Sequence, residues 1–297
     1  MTTRILLTGG TGQLGRNLAL ALQELGKMKV PARAEFDLAS PTSMRRMLDE
    51  WRPGLIVNAA AYTAVDRAES EPELALAVNG AAPAAMAGWA ARNDAAIVHY
   101  STDYVFDGAA PRAYREDDKT GPISVYGASK LTGEAAVRDS GADHLIIRTS
   151  WLYAAQGQNF LHTILRLARE RETLCIVDDQ TGAPTSAQWL ARISARIIAK
   201  PPFAGDRSGV LHAAAAGSVS WHGFACAIVE RARARGWPVK VETISPIPTS
   251  GYPTPAARPR NSVLDLDRLG RVYGIVPTPW REQLDAALDR IAPSMEG

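Results

Sequence analysis

Tyr126 and Lys130 stand four residues apart in the stretch SVYGASK (124–130). Residues at that spacing on a helix share one face, with Cβ atoms roughly 5–6 Å apart. A free phenol titrates near ~10, too high for a responsive proton donor at neutral pH. A positive charge about 5 Å away, at an effective dielectric near ~20, is worth about 3 kcal/mol, or roughly two pKa units. The pair therefore predicts an acid, Tyr126, tuned by Lys130, provided the site is partly desolvated. Upstream, HYSTDYVFDG (99–108) ends an apolar run with Ser101 and Thr102. A hydroxyl there can hydrogen-bond a carbonyl oxygen as negative charge develops on it. YxxxK by itself marks only a packed tyrosine and a solvated lysine; the preceding hydroxyl gives it a reaction.

A second set of residues suits a dinucleotide. LLTGGTGQLG (6–15) sets Gly9, Gly12 and Gly15 three residues apart, directly after an apolar run and into a helical pattern. A pyrophosphate at a helix N-terminus needs free backbone N–H groups and no side chains in the way. The glycines supply the turn, the close approach and the tight helix–strand packing. About 20 residues further on, an acid would select a ribose hydroxyl and an arginine a 2′-phosphate. Arg33 ends the weak candidate strand KVPAR (29–33), with Glu35 and Asp37 just beyond. Arg33 favours NADPH, the acids leave NADH open, and Asp37 and Leu38 are expected along the adenosine.

The elements that must position these residues are legible as an alternation. Strand candidates are 4–8, 55–60, 96–102 and 144–151, near-continuously apolar as in strands buried on both faces. Helical patterns lie between them at 13–25, 41–51, 72–93 and 126–139. This predicts an α/β fold, a doubly wound parallel sheet of Rossmann type. Beyond residue 152 the pattern loosens. Helices at 159–171, 186–199 and 221–235 alternate with strands at 173–179, 209–215 and 239–244. A proline-rich loop covers 245–262, and a helix follows Pro279. We expect a dinucleotide-binding domain over 1–152 and a smaller, mainly substrate-binding α+β domain over 153–297, with the strand near 209–215 returning to the first sheet.

Composition excludes several classes. The 297 residues are 46% hydrophobic and 22% charged, with a formal net charge of +2, which gives no broad field for nucleic acid or an anionic membrane. Two cysteines, Cys175 and Cys226, make no disulfide framework and suit a reducing, cytoplasmic compartment. The alanine-rich run around 75–91 is broken by Asn79, Gly80 and Pro83 and does not read as membrane-spanning. His99, His144, His162, His212 and His222 show no metal-ligand spacing.

Glycine loop, strand-end hydroxyl and YxxxK, in that order, resemble the extended short-chain dehydrogenase/reductases. NAAAYTAVDRAESEPE (58–73), HYSTDYVFDG, VYGASKLTGE (125–134), RTSWLYA (148–154), DDQTGAPTSA (178–187) and YPTPAARPRNS (252–262) resemble the dTDP-4-dehydrorhamnose reductases more specifically. That resemblance implies reduction of the 4-keto group of dTDP-4-dehydro-L-rhamnose with NADPH or NADH. It puts Gly12, Gln13 and Leu14 at the cofactor phosphates, Ala61, Tyr62, Thr63 and Tyr100 along the cofactor, and Lys130 at the nicotinamide ribose. Val65, Thr102, Asp103 and Trp151 would face the dTDP-sugar, Trp151 with a flat apolar face for a deoxysugar. Arg258 and Arg260 could fork onto its diphosphate. Asp103 is followed by Tyr104, where nucleotide-sugar 4,6-dehydratases carry an Asp-Glu pair, and this argues against elimination. Epimerases use the same Thr, Tyr and Lys but match the later motifs less well. A rival of another class is a non-catalytic dinucleotide-binding subunit like the β subunit of methionine adenosyltransferase. Asn17 and Gln188 stand where some relatives use glutamates for Mg²⁺, so no metal is expected. Monomer and homodimer both stay open.

Overall fold

The computed structural model describes residues 3–199 and 202–291; the outermost ends of the expected domains lie outside them. The first half alternates strand and helix. β1 (Arg4–Thr8), α1 (Gln13–Ala21), β2 (Lys27–Lys29), α2 (Pro41–Trp51) and β3 (Leu55–Asn58) come first. Next are α3 (Val65–Ala68), α4 (Pro72–Leu76), α5 (Ala82–Arg92), β4 (Ala96–Thr102), α6 (Val125–Asp139) and β5 (Asp143–Thr149). The second half runs β6 (Leu152–Tyr153), α7 (Phe160–Glu170), β7 (Thr173–Val177), β8 (Thr181–Gly182), β9 (Thr185–Ser186) and α8 (Ala187–Ile198). It ends with β10 (Gly209–His212), β11 (Val219–Ser220), α9 (Trp221–Ala234), β12 (Thr243–Ile247), α10 (Asp267–Tyr273) and α11 (Trp280–Leu288).

Six strands form one parallel sheet in the order β10-β5-β4-β3-β1-β2. Successive residues of a strand face opposite sides, so the apolar runs feed two cores. Ile5, Leu7, Val57, Val98 and Ile147 meet Leu14 and Leu18 of α1, Trp189 to Ile198 of α8, and Leu269 of α10. Leu6, Ile56, Ile97 and Ile146 meet α2, α5 and Val137 of α6. The chain order reverses between β1 and β3, and in open α/β sheets ligands bind in the crevice at such a switch point, beyond the carboxyl ends of the strands. A third core, with Tyr153, Leu161, Phe224, Ile228, Trp280 and Leu284, belongs to the second half. The strand expected to return does so as β10, beside β5.

Three elements differ from expectation. The second strand ends at Lys29, not Arg33, because Pro31 has no N–H to add to the ladder. The helix expected over 72–93 is broken at Ala77–Ala81 by a π-helical turn that carries Asn79 inward. Pro72–Arg92 is long and apolar enough to cross a membrane, with 56% of its window buried; its α5 part packs in the core against α2 and α6. The strand expected at 239–244 lies at 243–247, reaching into the proline-rich segment. It pairs with β7 alone, and Pro246 is tolerated there because an edge strand has one unpaired side.

Candidate active site

Tyr126 enters the site through the start of α6. Ser124 caps that helix by accepting the Gly127 N–H at 3.2 Å, and Val125 N–H donates to Glu69 at 2.9 Å. One turn on, Lys130 is 2% exposed and its Nζ donates to the Tyr100 carbonyl at 2.7 Å. Behind it runs a buried polar row. Thr8 Oγ1 donates to Asn58 Oδ1 at 2.6 Å, Asn58 Nδ2 lies 2.9 Å from His99 Nδ1, and His99 Nε2 lies 3.5 Å from Lys130 Nζ. Burial and Lys130 hold His99 well below its usual pKa, so the imidazole is neutral. Burial also pushes the Lys130 ammonium down to about 8, against an upward pull from Glu134.

Thr102 ends β4 beside this pair. Its hydroxyl donates to Asp103 Oδ1 at 2.9 Å and accepts the Tyr104 N–H at 3.2 Å. The Tyr126 phenol lies beside Thr102, whose hydroxyl favours the ionised form of the phenol. Asp103 is 2% exposed and accepts from Ser150 Oγ at 3.1 Å. Burial pushes its carboxyl up to about 6, partly offset by hydrogen bonds from Ser262, Thr102 and Ser150. The expected lowering of Tyr126 by Lys130 is not found. Burial pushes the phenol up to about 12, with Thr102 pulling it down and Asp103 pushing it up. The reason is physical: the phenolate loses more by leaving water than a cation turned toward a carbonyl returns.

These groups open on one cavity of about 760 Å³. Its lining holds Gly9, Gly12, Gln13, Leu14, Arg33, Asp37, Leu38, Ala61, Tyr62 and Thr63, and also Val65, Tyr100, Thr102, Asp103, Tyr126, Lys130 and Trp151. Gly15 stands behind it, where an added Cβ would lie 2.0 Å from the Gly9 carbonyl oxygen. Arg258 is not in the lining. Its fork is closed on Asp66, at 2.6 Å to Oδ1 and 2.8 Å to Oδ2, so in this arrangement it is not offered to a diphosphate.

A dinucleotide fits what is present. Gly9 has φ +71°, and an added Cβ there would sit 2.7 Å from Ala60 N. No side chain caps α1, and its first turn carries no acid, which leaves helix N–H groups for an anion. Arg33 and Asp37 face the cavity, whereas Glu35 turns away to accept the Ala32 N–H at 2.9 Å. Among the described residues, no cluster of three or more His, Cys, Asp or Glu side chains is placed to hold a metal ion.

Sequence reasoning missed Trp221, Gln158 and Val78 in the lining, and Asn159, whose Nδ2 donates to Gln13 Oε1 at 3.0 Å across the two halves. The polar row was signalled by Thr8, Asn58 and His99 standing in apolar strands, the unusual place for such groups. Trp221 carried no such signal, since an aromatic at a helix start is ordinarily core.

Residues 3–292 match the family described as RmlD substrate binding domain. A dTDP-4-dehydrorhamnose reductase of Burkholderia thailandensis is 49% identical, over 94% of this chain and 95% of that protein. One of Escherichia coli K12 is 41% identical over 97% of each. The crystal structure of the Bacillus anthracis dTDP-4-dehydrorhamnose reductase in complex with NADP superposes with a TM-score of 0.89 at 34% identity, covering 97% of this chain and 99% of that one. Matched along nearly its whole length by the family and by these relatives, the chain belongs to the RmlD family, the dTDP-4-dehydrorhamnose reductases.

Proposed function

We propose that this chain reduces the 4-keto group of dTDP-4-dehydro-L-rhamnose to dTDP-L-rhamnose, with NADPH as hydride donor. The observation that carries the reading is the meeting of Tyr126, Thr102 and Lys130 in the cavity that the glycine loop opens. Bound NADPH supplies the hydride at C4. Gly9 and the start of α1 hold its phosphates, and Arg33 suits its 2′-phosphate. As the C4 oxygen gains charge, Tyr126 gives it the phenolic proton, and Thr102 steadies it by turning its hydroxyl hydrogen from Asp103 to that oxygen. A phenol held near 12 stays protonated at neutral pH and is still acidic enough to quench an alkoxide. Lys130 binds the nicotinamide ribose, and the phenolate left on Tyr126 regains its proton from solvent.

In this reading Val65, Asp103 and Trp151 face the sugar nucleotide, and no divalent metal takes part at Asn17 or Gln188. The protein works in the cytoplasm as a monomer or homodimer, without nucleic acid or membrane. Residues 1–152 with β10 form the dinucleotide-binding part and the remainder mainly the sugar-binding part. Following NADPH absorbance with dTDP-4-dehydro-L-rhamnose tests the activity. Stoichiometric oxidation is expected; bound NADPH without oxidation would instead support a dinucleotide-binding subunit.

A further inference from the structure

Trp151 was expected to offer a flat face to the deoxysugar, yet both its faces are closed. On one side lies Gly182, so close that an added Cβ would sit 2.4 Å from the ring. On the other the Trp221 indole is stacked, centroids 3.5 Å apart and planes at 2°. Both indoles border the cavity of the hydroxyl pair, and Ser150, next to Trp151, holds Asp103.

The two closures differ in kind. Gly182 is backbone, in β8, and Trp151 itself is pinned. It sits at the end of β5 with φ +45°, and its carbonyl accepts the Thr185 N–H at 3.2 Å. A bulky residue in that region is strained and stays only where its surroundings fix it. Trp221 is the first residue of α9, after the Ser220 cap, a partly buried side chain at the edge of the third core with the Phe160 ring tilted beside it, 4.5 Å away at 48°. Rotation about its own side-chain bonds moves it without disturbing the helix. A face-to-face sandwich is a stack that ring quadrupoles favour less than an offset or edge-to-face one, which lowers the cost of separating the pair.

We propose that Trp221 is a displaceable cover of the hexose subsite: it sits on Trp151 in the free enzyme and yields that ring face to a 6-deoxyhexose. The inference rests on the proposed function for the identity of the sugar. It adds a specificity-determining residue. The exposed indole face offers dispersion to C–H groups and the C6 methyl, but no partner for a C6 hydroxyl. The cover keeps the face dry until a sugar replaces it.

Two stacked indoles couple their transitions and give an exciton couplet in circular dichroism, which Trp221→Phe identifies by abolishing it. Wild-type protein saturated with NADP⁺ is titrated with dTDP-L-rhamnose and, separately, with dTDP, while calorimetry follows binding. The couplet is expected in the free enzyme, to survive dTDP and to vanish with dTDP-L-rhamnose. Trp221→Ala should bind dTDP-L-rhamnose about two- to tenfold tighter, the change matching one stacked aromatic pair. Binding with the couplet intact, or a variant that binds more weakly, overturns the proposal. Absence of dTDP-L-rhamnose binding overturns the functional reading beneath it, so the two failures are distinguishable.

Discussion

At the scale of residues, the site is a set of hydroxyls and carboxyls whose hydrogens have assigned destinations. Thr102 donates its hydrogen to Asp103 and lies beside the Tyr126 phenol. Among the cavity carboxyls, burial raises Asp103 from 3.8 to about 6. Between those values the folded chain keeps a proton that the unfolded chain has released, so stability falls as pH rises through this window. The loss amounts to about 2–3 kcal/mol. Asp103→Asn should remove it: between pH 4 and pH 7, the urea midpoint of the variant should decline less than that of the wild type. Equal declines would place the pH dependence elsewhere. The chemistry-bearing residues were legible because YxxxK and the strand-end hydroxyl are local patterns. The direction of Lys130 was not. It depends on the Tyr100 carbonyl and His99, which spacing along α6 does not contain.

At the scale of elements, the alternation of apolar strands and helices carried the first half because each strand feeds two cores. It failed where a proline hid a strand, at β12, and where one continuous pattern held a π turn. That turn places Asn79, whose Oδ1 accepts the Tyr62 N–H at 2.8 Å and whose Nδ2 donates to Ser129 at 3.0 Å. It thereby ties a cavity loop to α6. The tightest junction is α1 against the glycine loop. A Cβ on Gly15 would lie 2.0 Å from the Gly9 carbonyl oxygen, so loop and helix must part to admit it. Gly15→Ala should cost about 1–3 kcal/mol in urea unfolding and weaken NADPH roughly tenfold or more through the displaced loop. Unchanged affinity would mean that the glycine serves packing alone.

At the scale of the whole molecule, the chain passes back and forth between its two halves. α8 packs on α1 and β10 completes the first sheet. Asn159 reaches Gln13, and Arg258 of the proline-rich segment grips Asp66. A sequence read in order divides at residue 152; the contacts that close the cavity join residues more than a hundred positions apart, beyond the reach of any periodicity. For the same reason the glycine loop and YxxxK are legible as local patterns, while the places of Trp221 and Asn159 are set only by the folded chain. In the function proposed above, these contacts serve one event, delivery of the Tyr126 proton to an oxygen held in the cavity. The most direct test is single-turnover oxidation of prebound NADPH by Tyr126→Phe with dTDP-4-dehydro-L-rhamnose, with NADPH affinity measured in parallel. A rate lowered by roughly 10²–10⁴-fold, the usual contribution of general acid catalysis, and unchanged affinity are expected. A variant that reduces the sugar at the wild-type rate would contradict this role of Tyr126.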